Sequence, residues 1–470
     1  MSTLLGRMQS RFSRFHEVGD VDQQVKMNRK EIPQKKTIAS LDGVRAIACF
    51  TVVGYHINLI TRDTGIWDPK ASSFGHAWMT ALFLSGFSGV TLFFVLSGFL
   101  LFLPYARALL LKTPWPSLRL YCLRRALRIV PAYYITLALL LLFYDRSYLQ
   151  LQHLGHIGLF LIFFMDSTKD TYQKVEGPFW TLAVEAQFYV LLPLLALGMR
   201  WLVHRLSIVG RGWVLIGCLC ALMVWGVCIR AWGIESEQLS GQFYDAIQVI
   251  RMFLYGQTGK YLEDFAVGML LSLCYVATQH PKGGYWAARL RQWSYCIGGI
   301  GLLALAGMMW WNTHFVFHFS PWEFLNTVSH TYPWVHEWLF ACSYGACLVA
   351  ILYGPNHLQR FFSWKPLRSL GNVSYSMYMW HFPLLMIFMI QVGYRLQNGN
   401  GLIIYGLYWL YAFLLIVPYS TLFYQLFEKP GIALSAKIGH RSRPLAEKIE
   451  LPFSGEGEER TQKSKITVDV

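Results

Sequence analysis

The chain has 470 residues, of which 54% are hydrophobic, 16% aromatic and only 14% charged. A soluble globule is about a quarter charged, so this composition excludes one, and the uninterrupted apolar runs argue against a membrane β-barrel. The net charge of +15 does not call for nucleic acid, because Lys and Arg lie mostly in the tails and in alternate loops, where they set membrane topology.

Taken in order, residues 1–37 form a basic cytoplasmic tail with no cleavable signal, so the first apolar block is expected to anchor the protein itself. Leu4, Leu5, Met8, Phe12 and Phe15 share a helical face opposite Arg7, Arg11 and Arg14. That pattern suits a helix on an anionic leaflet and a disordered basic tail equally well. Apolar segments then fall near 38–60, 79–103, 129–145, 154–165, 179–199, 212–232, 262–278, 293–311, 338–354, 371–392 and 402–427. A spanning helix needs roughly 20 residues, which makes 154–165 a re-entrant or interfacial segment. With it excluded, ten spans remain and both termini are cytoplasmic. The inner segments then carry 31 Lys and Arg against 8 in the outer ones, as the positive-inside rule requires. The expected product is an all-α, multi-pass plasma-membrane protein: a membrane domain over 38–432 and a disordered cytoplasmic tail over 433–470. The outer loop 312–337 has no Lys or Arg but many aromatics, as an interfacial belt does. Nine cysteines, mostly within apolar runs, read as small core residues without disulfides.

Polar residues inside the spans are the candidates for function, because ionisable groups in lipid are expensive. In SLDGVRAIACFTVVGYHINLI, Arg45 and His56 are eleven residues apart, which returns them to nearly the same helix face about 16 Å apart along the axis. Counting from the helix ends places Glu185 of the fourth span at the depth of His56, where a carboxylate could orient the ring; each could equally be satisfied by a different neighbour. Arg124, Arg125 and Arg128 precede the third span. Arg125 and Arg128, one turn apart, can grip a phosphate together, although fixing topology is the commoner role of such a cluster. Ser97 and Gly98 permit close helix approach. Ser374, Tyr378 and His381 share a face of the ninth span, so His381 is either a bonded core residue or part of a polar cavity lining. His314 and His318 have ligand-like spacing but no third partner, so no metal is expected.

Six stretches carry a family resemblance in order: SLDGVRAIACFTVVGYH, FFVLSGFLL, RRALRIVPAYY, WTLAVEAQFYVLLPLL, SYSMYMWHFPLL and FEKP. Together, from about Ser40 to Pro430, they resemble the acyltransferase-3 family of integral membrane acyltransferases. The resemblance implies transfer of an acyl group, commonly acetyl from acetyl-coenzyme A, to a hydroxyl of an extracytoplasmic or lipid-linked carbohydrate. It implies Arg45 and His56 as the essential first-helix pair and Arg125 and Arg128 as the donor-binding pair. Glu185 falls in the fourth-span motif; Ala183 stands where members often have Ser, and Ala186 where a larger residue is common. Many members continue into a serine-esterase-like domain; none is expected within these 470 residues, so a function that needs one would recruit it separately. The expected partners are acyl-coenzyme A, a carbohydrate or glycolipid acceptor and membrane lipid, with the oligomeric state open. Two rival readings stand beside this one. A small secondary metabolite could be the acceptor, or the chain could be a proton-coupled transporter, which would carry repeat symmetry that is not found here.

Overall fold

Inside a bilayer the backbone must satisfy its own hydrogen bonds, and the apolar runs of this chain do so as helices. The computed structural model describes residues 39–63, 81–238, 244–280, 283–317, 328–396 and 399–441. Among these residues there are helices and turns but no strand.

The helices are α1 (Ala39–Asp63), α2 (Ser88–Leu111), α3 (Leu118–Phe143), α4 (Leu154–Leu161), α5 (Phe179–Val203), α6 (Ile208–Glu235), α7 (Tyr244–Leu254) and α8 (Leu262–Gln279). They are followed by α9 (Gly284–Phe317), α10 (Tyr332–Tyr353), α11 (Asn356–Phe362), α12 (Lys365–Phe388), α13 (Gly401–Tyr411), α14 (Val417–Phe423) and α15 (Lys429–Arg441). Short π-helical turns join α13 to α14 and α14 to α15. Among the described residues nine stretches are long and apolar enough to cross a bilayer. The tenth expected span, α8, is a helix of 18 residues whose first turn carries Glu263 and Asp264, which lowers its mean hydropathy. The chain is a multi-pass helical membrane protein. Helix α4 has eight residues. At 1.5 Å per residue it covers less than half of a hydrocarbon core.

Helix boundaries follow local chemistry. Ser207 accepts the Gly210 N–H at the start of α6, and Asn400 accepts those of Leu402 and Ile403 at the start of α13. The last helix runs to Arg441, past residue 432, where the sequence reading ended the membrane domain. The amphipathic pattern of residues 4–15, His318 and residues 442–470 lie outside the described residues.

Helix α1 occupies the middle of the bundle, with α12 on one side and α2 on another, while α2 also packs along α8 and α9 pairs with α10. Two glycines set the α2–α8 approach. A Cβ at Gly98 would sit 2.2 Å from the Phe265 carbonyl oxygen, and one at Gly268 would sit 2.0 Å from that of Val95. The two backbones are in contact there, the use that small residues have between membrane helices. All nine cysteines carry free thiols.

The segment between α4 and α5 shapes the site. Asp166, Ser167, Thr171 and Glu176 are buried while Lys169, Asp170, Gln173 and Lys174 stay exposed, so this stretch is anchored in the bundle at separate points. Asp166 is held by an ion pair with Lys260 and by a 2.8 Å bond from Gln187 Nε2. Phe163, Gln173 and Val175 have φ values of 58°, 54° and 60°. Such angles cost a side-chain-bearing residue about 1–3 kcal/mol and persist only where surrounding contacts hold them.

Candidate active site

Two cavities lie among α1, α2, α3, α5 and α12. The inner one has a volume of about 430 Å³ and is lined by Arg45, Arg125, Arg128, Ser97 and Glu185. The outer one, about 360 Å³, is lined by His56, Tyr172, Trp180, Tyr261 and Glu337. Val90 and Tyr378 line both and form the junction between them.

The stripe on α1 therefore faces the bundle. Arg45 opens on the inner cavity and His56 on the outer one, and neither is wholly buried, because each borders empty space. Of the arginine cluster at 124, 125 and 128 on α3, Arg124 is exposed, whereas Arg125 and Arg128 line the inner cavity. Arg128 Nε lies 3.9 Å from Oε1 of the fully buried Glu428, whose other oxygen accepts from Ser376 at 3.0 Å. The Arg125 guanidinium lies 5.9 Å from the centre of the Tyr189 ring. Asp42 and Glu185 attract the charge of Arg45, while Arg125 and Arg128 repel it. Among the described residues three cations line this cavity and Glu185 is its one lining carboxylate, which leaves it with positive potential for an anionic ligand.

Of the two arrangements the sequence left open for His56 and Glu185, the structure shows the one in which each has a different neighbour. Glu185 Oε1 accepts from Ser97 Oγ at 2.7 Å and belongs to the inner cavity. Depth had been counted from the helix ends, but α5 opens beside the outer cavity, where Trp180 lines it with His56, and Glu185, five residues further on, falls at the inner one. His56 instead meets His381 of α12: His56 Nδ1 lies 3.1 Å from His381 Nε2 and 3.0 Å from the Val52 carbonyl oxygen. His381 is 0% exposed, so it lines no cavity and acts only through what it touches. The Tyr55, His381 and Phe382 rings seat the His56 ring, with centroids 4.9–5.1 Å away.

Several groups here were not singled out as partners from the sequence. Tyr378 appeared there only as one residue of a polar face, yet it stands at the junction, where Thr181 Oγ1 donates to its hydroxyl at 2.7 Å. The aromatic wall of the outer cavity joins Tyr172 and Tyr261 to Trp180, with centroids 6.1 and 5.5 Å apart. Only three-dimensional closeness links these residues, so no local spacing could have found them. His314 is buried at the end of α9, and the described residues contain no cluster of three or more metal-ligating side chains.

Glu176, in the buried segment beside the outer cavity, has two oxygens without a hydrogen-bond partner. Burial pushes its carboxyl well above the ordinary range, and the nearby Phe179 amide offsets this only in part. A carboxyl raised on folding binds its proton more tightly in the native state, so stability is lost as pH rises above the unfolded value of about 4.5. The Glu176→Gln protein is therefore expected to lose less thermal stability than the wild type between pH 5 and 8. Paired unfolding curves in detergent test this; parallel pH trends for the two proteins would refute it.

A family model described as an acyltransferase domain matches residues 38–425. The peptidoglycan O-acetyltransferase OatA of Listeria monocytogenes is 23% identical over 378 residues, covering 76% of this chain and 51% of that protein. A Bacillus subtilis protein provisionally named as a peptidoglycan O-acetyltransferase is 26% identical over 74% of this chain and 49% of its own length. For a Staphylococcus aureus protein provisionally named as an O-acetyltransferase the identity is 24%, over 74% of this chain and 50% of its own. The chain spans about half the length of these curated relatives. No solved structure matches it.

Proposed function

The chain belongs to the acyltransferase-3 family, and from that premise we propose that it moves an acyl group, acetyl in the first instance, from cytoplasmic acyl-coenzyme A to a carbohydrate hydroxyl on the other side of the plasma membrane. The observation that carries this reading is the placement of Arg45, Arg125 and Arg128 around one cavity that adjoins, at Val90 and Tyr378, the cavity holding His56. Guanidinium groups bind phosphate oxygens through charge-assisted, often bidentate bonds, so the inner cavity takes the phosphates of the donor. The thin pantetheine arm then runs along the polar face of α1 to the junction. There the acceptor oxygen attacks the thioester carbonyl while the His56 imidazole takes its proton. The carbon–sulfur bond breaks, and the proton passes to the leaving thiolate, so the reaction neither consumes nor releases protons overall. Relatives named as peptidoglycan O-acetyltransferases support a glycan acceptor. The positive-inside count supports both termini, and hence the arginine cavity, on the cytoplasmic side.

The test uses the full chain reconstituted in membranes with labelled acetyl-coenzyme A, together with mass spectrometry of surface glycan from cells with and without the protein. The expected result is a glycan acetyl ester that depends on the protein. In the same preparation, Arg125→Ala combined with Arg128→Ala is expected to raise the donor KM on the order of 10²-fold. That magnitude corresponds to two lost charge-assisted hydrogen bonds. Donor binding that survives the double substitution would remove the phosphate role from this pair. A labelled solute crossing the membrane with no acyl-coenzyme A consumed would instead favour transport.

A further inference from the structure

Two imidazoles that are 325 residues apart in sequence meet behind the outer cavity, and their surroundings determine where the protons sit. His381 Nδ1 lies 2.7 Å from the Tyr378 carbonyl oxygen and 3.2 Å from that of Met377. A carbonyl oxygen has no proton to give, so the ring nitrogen that faces it must be the donor. His381 is therefore held as the Nδ1–H tautomer, with its lone pair on Nε2. That lone pair points at His56 Nδ1, whose other neighbour is the Val52 carbonyl oxygen. Both neighbours of His56 Nδ1 are acceptors, so this nitrogen also carries a proton and shares it between them. The basic lone pair of His56 is left on Nε2. Among the described residues nothing hydrogen-bonds that atom, nor is it sealed from space, and the ring borders the outer cavity.

From this sequence of assignments we infer that His381 is the positioning residue of the base. It fixes His56 in the Nδ1–H tautomer and turns Nε2 towards the cavity where the acceptor hydroxyl arrives. The role assigned to that lone pair rests on the acyl-transfer reading above; the tautomer itself rests on geometry alone. When Nε2 takes the hydroxyl proton, His56 becomes an imidazolium, and its Nδ1–H bond to His381 becomes charge-assisted. An interaction that strengthens only as charge develops lowers the barrier without tightening substrate binding. A carboxylate often does this work in other enzymes. Here a neutral ring does it, which avoids a second unpaired charge in a buried site.

Two measurements test the inference. The first is the heavy-nitrogen spectrum of the full chain in lipid nanodiscs, with labelled histidine and with signals assigned through His56→Asn and His381→Gln. It should show His56 bare at Nε2 and protonated at Nδ1; a proton on Nε2 overturns the inference whether or not the protein transfers acyl groups. The second is turnover. His381→Phe fills the same space without an acceptor, and should lower kcat about 10- to 100-fold while moving either KM less than threefold. His381→Gln, whose Oε1 can accept from Nδ1–H, should recover most of that loss. Wild-type kcat in the Phe protein overturns the inference. So does a Gln protein as slow as the Phe one, which would reduce His381 to packing. Should the Phe protein fail to insert, the spectrum and the Gln protein still decide. A wild-type protein with no acyl transfer at all would overturn the proposed function and leave the tautomer to the spectrum.

Discussion

Replacing His56 with Ala is expected to lower acyl transfer by about 10²- to 10⁴-fold, the range contributed by a positioned general base, while donor binding survives. The expectation follows from how the structure separates tasks. The groups suited to phosphate, Arg45, Arg125 and Arg128, all line the inner cavity, and His56 lines the outer one. Removing the imidazole should therefore reduce kcat with little change in donor KM, and Arg45→Ala should do the reverse. The fold should tolerate the change. Helix α1 is held by buried Val52, Val53 and Ile57 around His56, and the imidazole itself borders a cavity, so no tightly packed volume is emptied. The measurement is a single-turnover acetyl-transfer assay on protein matched for insertion, beside a donor-binding titration. Turnover in the Ala protein within a fewfold of wild type would end the base assignment. Lost donor binding with normal chemistry at saturation would relocate the donor site to the outer cavity.

The sequence made the membrane architecture legible because lipid imposes so few solutions. Every expected span reappears as a helix, and the short block at 154–165 reappears as the eight-residue α4. Length and charge asymmetry decided those points, and both are local properties of the chain. The inward-facing stripe of Arg45 and His56 was likewise fixed by the pitch of a single helix. Partnerships between helices were not. Glu185 and His56 seemed to match in depth when each was counted from the end of its helix, but α5 opens beside the outer cavity at Trp180 and carries Glu185 on to the inner one. His381 was visible as a polar residue on one face of α12, but its contact with His56 depends on how α1 and α12 rotate against each other. No periodicity in either segment encodes that rotation.

A second large effect is expected from a pair with no part in the chemistry. Arg230 on α6 and Glu263 on α8 are buried, with side chains 5% and 2% exposed. Arg230 gives two hydrogen bonds to Glu263 Oε1, at 2.9 and 2.7 Å, and a third to the Thr258 carbonyl oxygen at 2.9 Å. Its guanidinium also lies 4.5 Å from the centre of the Tyr261 ring. Glu263→Ala leaves that cation buried without its counter-ion, which costs about 3–5 kcal/mol. Asp264 cannot simply replace it, since one residue of helix turns its side chain by about 100°. The double substitution Arg230→Met with Glu263→Leu should restore most of the loss, because a packed apolar pair often equals or exceeds a buried ion pair in stability. Unfolding of the two single-substitution proteins and the double in one detergent checks this, and additive losses would show that the two side chains do not act as a pair. The consequence reaches the site through Tyr261, which is stacked under Arg230 and forms the cavity wall with Trp180. The Glu263→Ala protein should therefore lose acceptor affinity before donor affinity at temperatures where it is still folded. The restored double should recover stability without full acceptor binding, because Met offers Tyr261 no cation to stack against.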